Sequence, residues 1–137
     1  MAATLSPLAA AINVAVGGAF GAVLRYQLGR AMTAWLGPAA VSAFPFATLA
    51  VNTLGSLLMG FLAGWLMRHG QGEGEQLRLL LGVGLLGGFT TFSAFSLELV
   101  LLIERGQMLA AGLYALLSLA LGVAGLFAGL MLMRAAA

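Results

Sequence analysis

The sequence predicts an all-α membrane protein with four transmembrane helices per subunit. Of its 137 residues, 62% are hydrophobic and only 7% are charged, whereas about 25% of the residues in a typical soluble domain are charged. Small domains bury only about 60% of their surface, so much of the apolar surface must face something other than water. Its apolar stretches reach the roughly 20 residues needed to cross a bilayer, which makes lipid the expected surroundings.

Charge and cysteine content exclude several classes of function. The net charge is +2, there is no lysine, and the arginines are dispersed, whereas nucleic-acid binding needs a clustered basic face. The absence of cysteine excludes disulfides and thiolate metal sites. No nucleophile–base pair is visible in the sequence, so an enzyme is not expected.

The first two spans follow from the positions of turn residues. The first is predicted over about 7–35 and ends before Gly37-Pro38. It lacks the positive start and the cleavage site of a signal peptide, so it is expected to stay as a membrane helix. The second is predicted over about 46–67.

The last two spans are separated by a charged turn. The third is predicted over about 76–103 and ends at Glu104-Arg105-Gly106. The fourth is predicted over about 107–133 and ends at Arg134. No linker or separate soluble segment is visible, so residues 1–137 are predicted to form a single four-helix transmembrane domain.

The arginines barely distinguish the two sides of the membrane. Three lie on the side of the termini: Arg68, Arg78 and Arg134. Two or three lie on the other side: Arg30, Arg105 and, if it reaches the interface, Arg25. Because cytoplasmic enrichment of Lys and Arg normally fixes orientation, the chain can insert both ways and pair as an antiparallel dimer. A single orientation, decided by one loop charge, is the alternative.

Small and polar residues recur every fourth position in the second span. They are Thr48, Asn52, Ser56, Gly60 and Gly64. Spacing of four places them on one helix face, where small residues let helices pack closely in lipid. The glycines therefore predict packing seams. Asn52 has two interpretations, since a mid-membrane amide must be paired and can also donate N–H groups to an anion.

The third span contains a run of poor helix formers. Gly87 and Gly88 precede Thr90 and Thr91, and glycine and β-branched threonine both disfavour helix. The run predicts a helix broken mid-membrane, which is tolerated only where the backbone is buried in protein or lines a cavity. The alternative is a kinked helix whose hydroxyls bond to its own carbonyls.

Three further residues of the third span are functional candidates. Glu98 lies well inside the span, and such a carboxylate can carry protons, pair with Arg25 or bond to hydroxyls. Phe92 and Phe95 lie three positions apart. They either pack against helices and lipid or present their positive ring edges to a small anion.

With these residues in view, the chain resembles the Fluc (CrcB) family of dual-topology fluoride channels over all four spans. Three segments carry the resemblance: Gly17-Gly18-Ala19-Phe20-Gly21-Ala22 with Arg25-Tyr26, Asn52-Thr53-Leu54-Gly55-Ser56 with Met59-Gly60, and Gly87-Gly88-Phe89-Thr90-Thr91-Phe92-Ser93-Ala94-Phe95-Ser96 with Glu98. One departure is Ala94, where many members carry a hydroxyl.

The resemblance implies an antiparallel homodimer with two fluoride pores and a structural sodium ion at the dimer interface. The sodium would be held by the backbone carbonyls of Gly87 and Thr90 from each subunit. The implied pore residues are Asn52, Phe92, Phe95, Thr91, Ser96, Tyr114 and Ser118. Arg25 would lie near a vestibule.

The function implied is passive, fluoride-selective efflux through the cell (inner) membrane, which would protect the cell from fluoride toxicity. Fluoride is small and strongly hydrated, so a pore must replace its water with dense hydrogen-bond donors. A proton-coupled exporter of the small-multidrug type is the main alternative, with Glu98 as its exchange site. A membrane scaffold that transports nothing is a second alternative.

Overall fold

The computed structural model describes residues 5–69 and 74–136, and these residues form helices joined by short turns. The elements, in chain order, are α1 (Pro7–Leu36), α2 (Pro38–Ala43), α3 (Phe46–His69), α4 (Gly74–Leu77), a π-helix π1 (Arg78–Leu86), α5 (Gly87–Phe89), α6 (Phe92–Glu104) and α7 (Met108–Ala135).

Four segments are long and apolar enough to cross a membrane: α1, α3, the composite segment Gly74–Glu104, and α7. Large apolar side chains are exposed along all four, as the 79% exposure of Trp35 and the 78% exposure of Leu109 illustrate. Water would strongly disfavour such a surface, whereas lipid does not. The chain is therefore a multi-pass membrane protein, as its composition predicts.

The ends of α1 follow from local chemistry. Ser6 precedes the helix and its hydroxyl accepts a hydrogen bond from the Ala9 N–H at 3.2 Å, with Pro7 at the first helical position. Both features stabilise a helix start. At the other end Gly37 has a φ of 86°, which favours glycine. Pro38 then begins the short helix α2.

The helix ends lie close to the boundaries expected from the sequence. The predicted spans 7–35 and 46–67 correspond to Pro7–Leu36 and Phe46–His69. The predicted span 76–103 corresponds to the composite segment Gly74–Glu104. The predicted span 107–133 corresponds to Met108–Ala135.

Glycines set the contact between α1 and the composite segment. A Cβ at Gly17 would overlap the Leu80 carbonyl, and a Cβ at Gly21 would overlap the Leu85 carbonyl. Gly84 and Gly88 likewise face the α1 backbone. The two backbones therefore touch directly, which is the close approach that small residues permit between membrane helices.

A second glycine seam joins α3 to α7. A Cβ at Gly60 would overlap the Leu126 carbonyl, and one at Gly129 would overlap the Leu57 carbonyl. Further along, Gly64 faces Met133. Because later residues of α3 meet later residues of α7, the two helices run in the same direction. They form the most extensive contact between helices in the described residues.

A small apolar core lies where α6 meets α7. Leu102, Ala111 and Tyr114 are buried together, and Tyr114 has no exposed surface. The Phe44 ring meets the Tyr114 ring edge-on with centroids 5.6 Å apart. This core fixes the position of the functional candidates on α6.

Candidate functional site

The helical hydrogen-bond pattern of the composite segment is interrupted at two threonines. Thr90 has φ −81° and ψ 159°, and Thr91 has φ −153° and ψ 122°, so both have extended backbones. Helix resumes at Phe92, where the Thr91 hydroxyl accepts a hydrogen bond from the Ala94 N–H at 3.2 Å. Thr91 therefore caps α6 in the usual manner of threonine.

Asn52 on α3 is paired with the backbone of Thr91. Its side-chain Nδ2 donates to the Thr91 carbonyl at 2.9 Å, and its Oδ1 accepts from the Thr91 N–H at 2.8 Å. The Asn52 oxygen thus takes the place of the helix acceptor that the Thr91 N–H lacks, and Nδ2 is an additional donor to the Thr91 carbonyl, which already accepts the first hydrogen bond of α6. Nδ2 carries two N–H groups, so one of them remains for another acceptor.

The interruption removes the helix donors of the carbonyls at the end of α5, and those of Gly87 and Thr90 are among them. In a continuous helix the Thr91 N–H would donate to the Gly87 carbonyl, and the Ala94 N–H would donate to the Thr90 carbonyl. Instead these amides donate to Asn52 and to the Thr91 hydroxyl. Carbonyl oxygens without their helix donors suit a hard cation, and the sodium ligands at Gly87 and Thr90 stay a prediction.

The Thr90 side chain is held against its own helix and against α3. Its hydroxyl donates to the Leu86 carbonyl at 2.8 Å. Its methyl group faces Gly55, where a Cβ would overlap it. The kinked-helix alternative predicts such a bond from a hydroxyl to a carbonyl of its own helix. In this structure the bond occurs next to the interruption.

A pocket of about 270 Å³ lies beside Thr90 and Thr91. It is lined by Asn52, Gly55, Ser56, Met59, Thr90, Thr91, Phe92 and Leu126. Polar groups from α3 and from the interruption therefore converge on one space. Three of the predicted pore residues, Asn52, Thr91 and Phe92, share this pocket.

The two candidate phenylalanines form a pair at the start of α6. Their ring centroids lie 5.6 Å apart. Phe95 packs against Tyr114, with centroids 5.1 Å apart, whereas Phe92 is 79% exposed. One ring is thus anchored to the core, and the other projects from the subunit.

Glu98 is held by two hydroxyls. Thr48 donates to Oε1 and Tyr114 donates to Oε2, each at 2.7 Å. Of the three roles considered for Glu98, bonding to hydroxyls is the one that the geometry favours. Thr48 was missed as a partner, although its place on the polar face of the second span was a signal for it.

The remaining candidates are spread along the subunit. Ser96 donates to the Phe92 carbonyl at 2.9 Å within its own helix. The Ser118 hydroxyl is buried and has no hydrogen-bond partner among residues 5–69 and 74–136. Arg25 lines a separate groove of about 770 Å³, together with Tyr26 and Arg30.

Comparison with known proteins agrees with the resemblance drawn from the sequence. Residues 12–130 match the family described as CrcB-like protein, Camphor Resistance (CrcB). A protein of Erythrobacter litoralis is 62% identical over 131 residues, which cover 96% of this chain and 96% of the relative. A protein of Novosphingobium aromaticivorans is 61% identical, covering 90% of this chain and 95% of the relative.

Both relatives are named fluoride-specific ion channel FluC, as is a protein of Phenylobacterium zucineum that is 55% identical over 91% of this chain. These names do not favour the exporter alternative. The match covers the glycine seams, Asn52, the interrupted segment and Glu98. The chain therefore belongs to the CrcB family.

Proposed function

We propose that this chain is a fluoride-selective channel for passive fluoride efflux through the cell (inner) membrane, and that it protects the cell from fluoride toxicity. The observation that carries the proposal is the identity of up to 62% with proteins named fluoride-specific ion channel FluC. The polar pocket beside Thr90 and Thr91 supports it, because a dehydrated anion needs donors in a confined space.

The proposed pore takes its donors from α3, from the interruption before α6 and from α7. Asn52 offers the N–H that Thr91 does not use. Thr91 offers its hydroxyl proton when this proton is not donated to the Ser93 hydroxyl, which lies 3.3 Å away. Ser118 offers a buried hydroxyl that has no hydrogen-bond partner in the described part of the chain. These neutral groups would replace the water around fluoride without a fixed positive charge, and so would let the ion leave again.

Ser96 and Tyr114 extend the proposed track along α6 and α7. Their hydroxyl protons are held by the Phe92 carbonyl and by Glu98. Each hydroxyl must therefore rotate away from its present acceptor to meet an anion. We assign them a supporting role beside Asn52, Thr91 and Ser118.

Phe92 and Phe95 would contact fluoride through their ring edges, which carry the positive part of the ring quadrupole. The pairing of the rings at 5.6 Å supports this role. The 79% exposure of Phe92 within one subunit fits a ring completed by a second copy. Arg25 would line the vestibule that leads to the pore, as its place in an open groove allows.

The functional unit would be an antiparallel homodimer in which the third span is broken at membrane depth. The extended backbones of Thr90 and Thr91 support the break, because such residues cannot face lipid without exposing polar groups. The nearly balanced arginines support insertion in both orientations. Two inverted copies would then bury the interruption between them.

A sodium ion at the dimer interface would be held by the backbone carbonyls of Gly87 and Thr90 from both copies. When bound, it would neutralise these carbonyl dipoles and join the subunits. The redirected amides of Thr91 and Ala94 support this assignment. Replacing sodium with a large organic cation should lower the thermal stability of the purified dimer; equal stability in both cations would argue against the site.

The proposed function can be tested in cells that lack their own fluoride exporter. Expression of the chain should restore growth in fluoride, most clearly at acidic pH, where neutral HF enters and dissociates inside. The variant Phe92→Ile, expressed to the same level, should fail to restore growth. Failure of the native chain, when it is present in the membrane, would contradict the proposal.

A further inference from the structure

A second pocket, of about 200 Å³, lies at the carboxyl end of α6. The end of α2, the turn after it and the start of α3 form one wall, and the second half of α6 with Arg105 forms the other. The pocket is mostly apolar but contains Ser42, Glu98 and Arg105. It shares no lining residue with the pocket beside Thr90 and Thr91, although residues of α6 line both pockets.

Arg105 is fixed at the pocket by one hydrogen bond. Its Nη1 donates to the Ser42 carbonyl at 3.2 Å, which ties the turn after α6 to the α2 segment. A guanidinium has five N–H groups, so this bond leaves others free to face the pocket. Within residues 5–69 and 74–136 the one ion pair joins Arg78 to Glu75, so Arg105 has no carboxylate partner there.

Glu98 lines the same pocket, and both of its oxygens are occupied. Thr48 and Tyr114 donate to them at 2.7 Å. These short bonds hold the carboxylate toward the core. Its negative charge partly offsets the attraction that Arg105 exerts on an anion inside the pocket. A cationic and an anionic side chain in the same pocket would together produce weak anion binding, which a conduction path requires.

We propose that this pocket is an anion-capture site at the mouth of the channel, with Arg105 as its cationic group and fluoride as its ligand. The inference rests on the proposed function and adds a site to it. Arg105 draws fluoride from solution by charge, and Glu98 keeps the binding shallow. In an antiparallel dimer the site would be present on both faces of the membrane.

Such a site has an ionic-strength signature. Attraction between exposed charges extends over about 30 Å at 0.01 M salt but only about 8 Å at 0.15 M. Capture by Arg105 therefore raises flux most at low ionic strength, as electrostatic steering does in general. Selectivity between fluoride and chloride depends on the inner pore and is independent of Arg105.

The test measures fluoride efflux from liposomes holding the purified protein, at low fluoride, with and without potassium gluconate to raise the ionic strength. Arg105→Gln keeps a side-chain donor for Ser42 but removes the charge. Its flux should fall about threefold to tenfold at low ionic strength and much less at high ionic strength. Arg105→Lys should retain most of the flux, and Arg105→Glu should reduce it further than Arg105→Gln.

Arg134→Gln is the matched control, because it removes one exposed charge beside Met67, away from the pocket. It should leave the flux unchanged. Equal losses in Arg105→Gln and Arg134→Gln, or a loss in Arg105→Gln that is independent of ionic strength, would overturn the inference. If the inference about Arg105 fails but the proposed function holds, the native protein still releases fluoride. If the proposed function itself fails, the native protein releases none.

Discussion

Asn52 and Thr91 share two hydrogen bonds, one in each direction, although they lie 39 positions apart in the chain. The Asn52 oxygen takes the place of the carbonyl that would accept from the Thr91 N–H in a continuous helix, and so stabilises an interruption that would otherwise leave this N–H unpaired. The same amide faces the polar pocket. One residue therefore connects the stability of the fold to the proposed conduction path.

Replacing Asn52 with leucine should destabilise the protein by about 1–3 kcal/mol, because the buried N–H of Thr91 loses its acceptor. Fluoride efflux should be lost as well. The measurement is thermal unfolding of purified protein alongside liposome efflux. Asn13→Leu is the control, since the one acceptor of Asn13 among the residues that the structure describes is the Ala9 carbonyl of its own helix. Equal effects at both positions would contradict the role given to Asn52.

Replacing Phe92 with isoleucine should sharply reduce fluoride efflux and leave unfolding nearly unchanged. The ring is 79% exposed in the subunit, so few intramolecular contacts are lost. Phe127→Ile is the control, because Phe127 is also largely exposed but lies on α7 and is not among the residues that line the pocket. Undiminished flux in Phe92→Ile would remove that ring from the pore.

Replacing Gly21 with alanine should destabilise the protein strongly. The new Cβ would overlap the Leu85 carbonyl, and backbone must move to make room. The expected loss is about 1–3 kcal/mol, as for other overpacked sites. Gly29→Ala on the same helix meets nothing within 4 Å and should be neutral or slightly stabilising. The measurement is the midpoint of thermal unfolding of each variant. Similar midpoints for Gly21→Ala and Gly29→Ala would contradict the close contact between α1 and the composite segment.

Replacing Glu98 with glutamine should leave passive fluoride conduction in place. The amide retains an oxygen acceptor for one of the hydroxyls of Thr48 and Tyr114. A proton-coupled exporter would lose transport, because its exchange site would be gone. Efflux with and without a pH gradient distinguishes the two, and a flux that depends on the gradient in the native protein would favour the exporter.

Adding arginines between the second and third spans should bias insertion toward one orientation. If the functional unit contains inverted copies, such a variant expressed alone should lose most of its efflux. Co-expression with a variant biased the opposite way should restore it. Full activity of the singly biased variant would argue against dual topology.

Much of the fold could be predicted from the sequence because apolar length and turn residues decide where membrane helices begin and end. Gly37-Pro38 marks the end of α1 for local reasons, and the run from Gly87 to Thr91 contains poor helix formers. The break at membrane depth remains a prediction. The π-helical stretch Arg78–Leu86 has no recognised pattern in the sequence; Gly84, within it, lies against the backbone of α1.

The side-chain partners were harder to predict. The sequence indicated that a mid-membrane asparagine needs a partner, but its pairing with Thr91 depends on how α3 packs on the interrupted segment. The same holds for Thr48 and Glu98, which lie 50 positions apart. Such long-range bonds are set by packing and have no local pattern.

The central claim is tested most directly by halide efflux from liposomes that contain the purified protein. Fluoride and chloride are loaded in parallel, and release is followed with ion-selective electrodes after the membrane potential is relieved. We expect rapid fluoride release, chloride release no faster than from protein-free vesicles, and loss of the fluoride signal in Phe92→Ile. Equal release of both halides, or no fluoride release by correctly folded protein, would contradict the account.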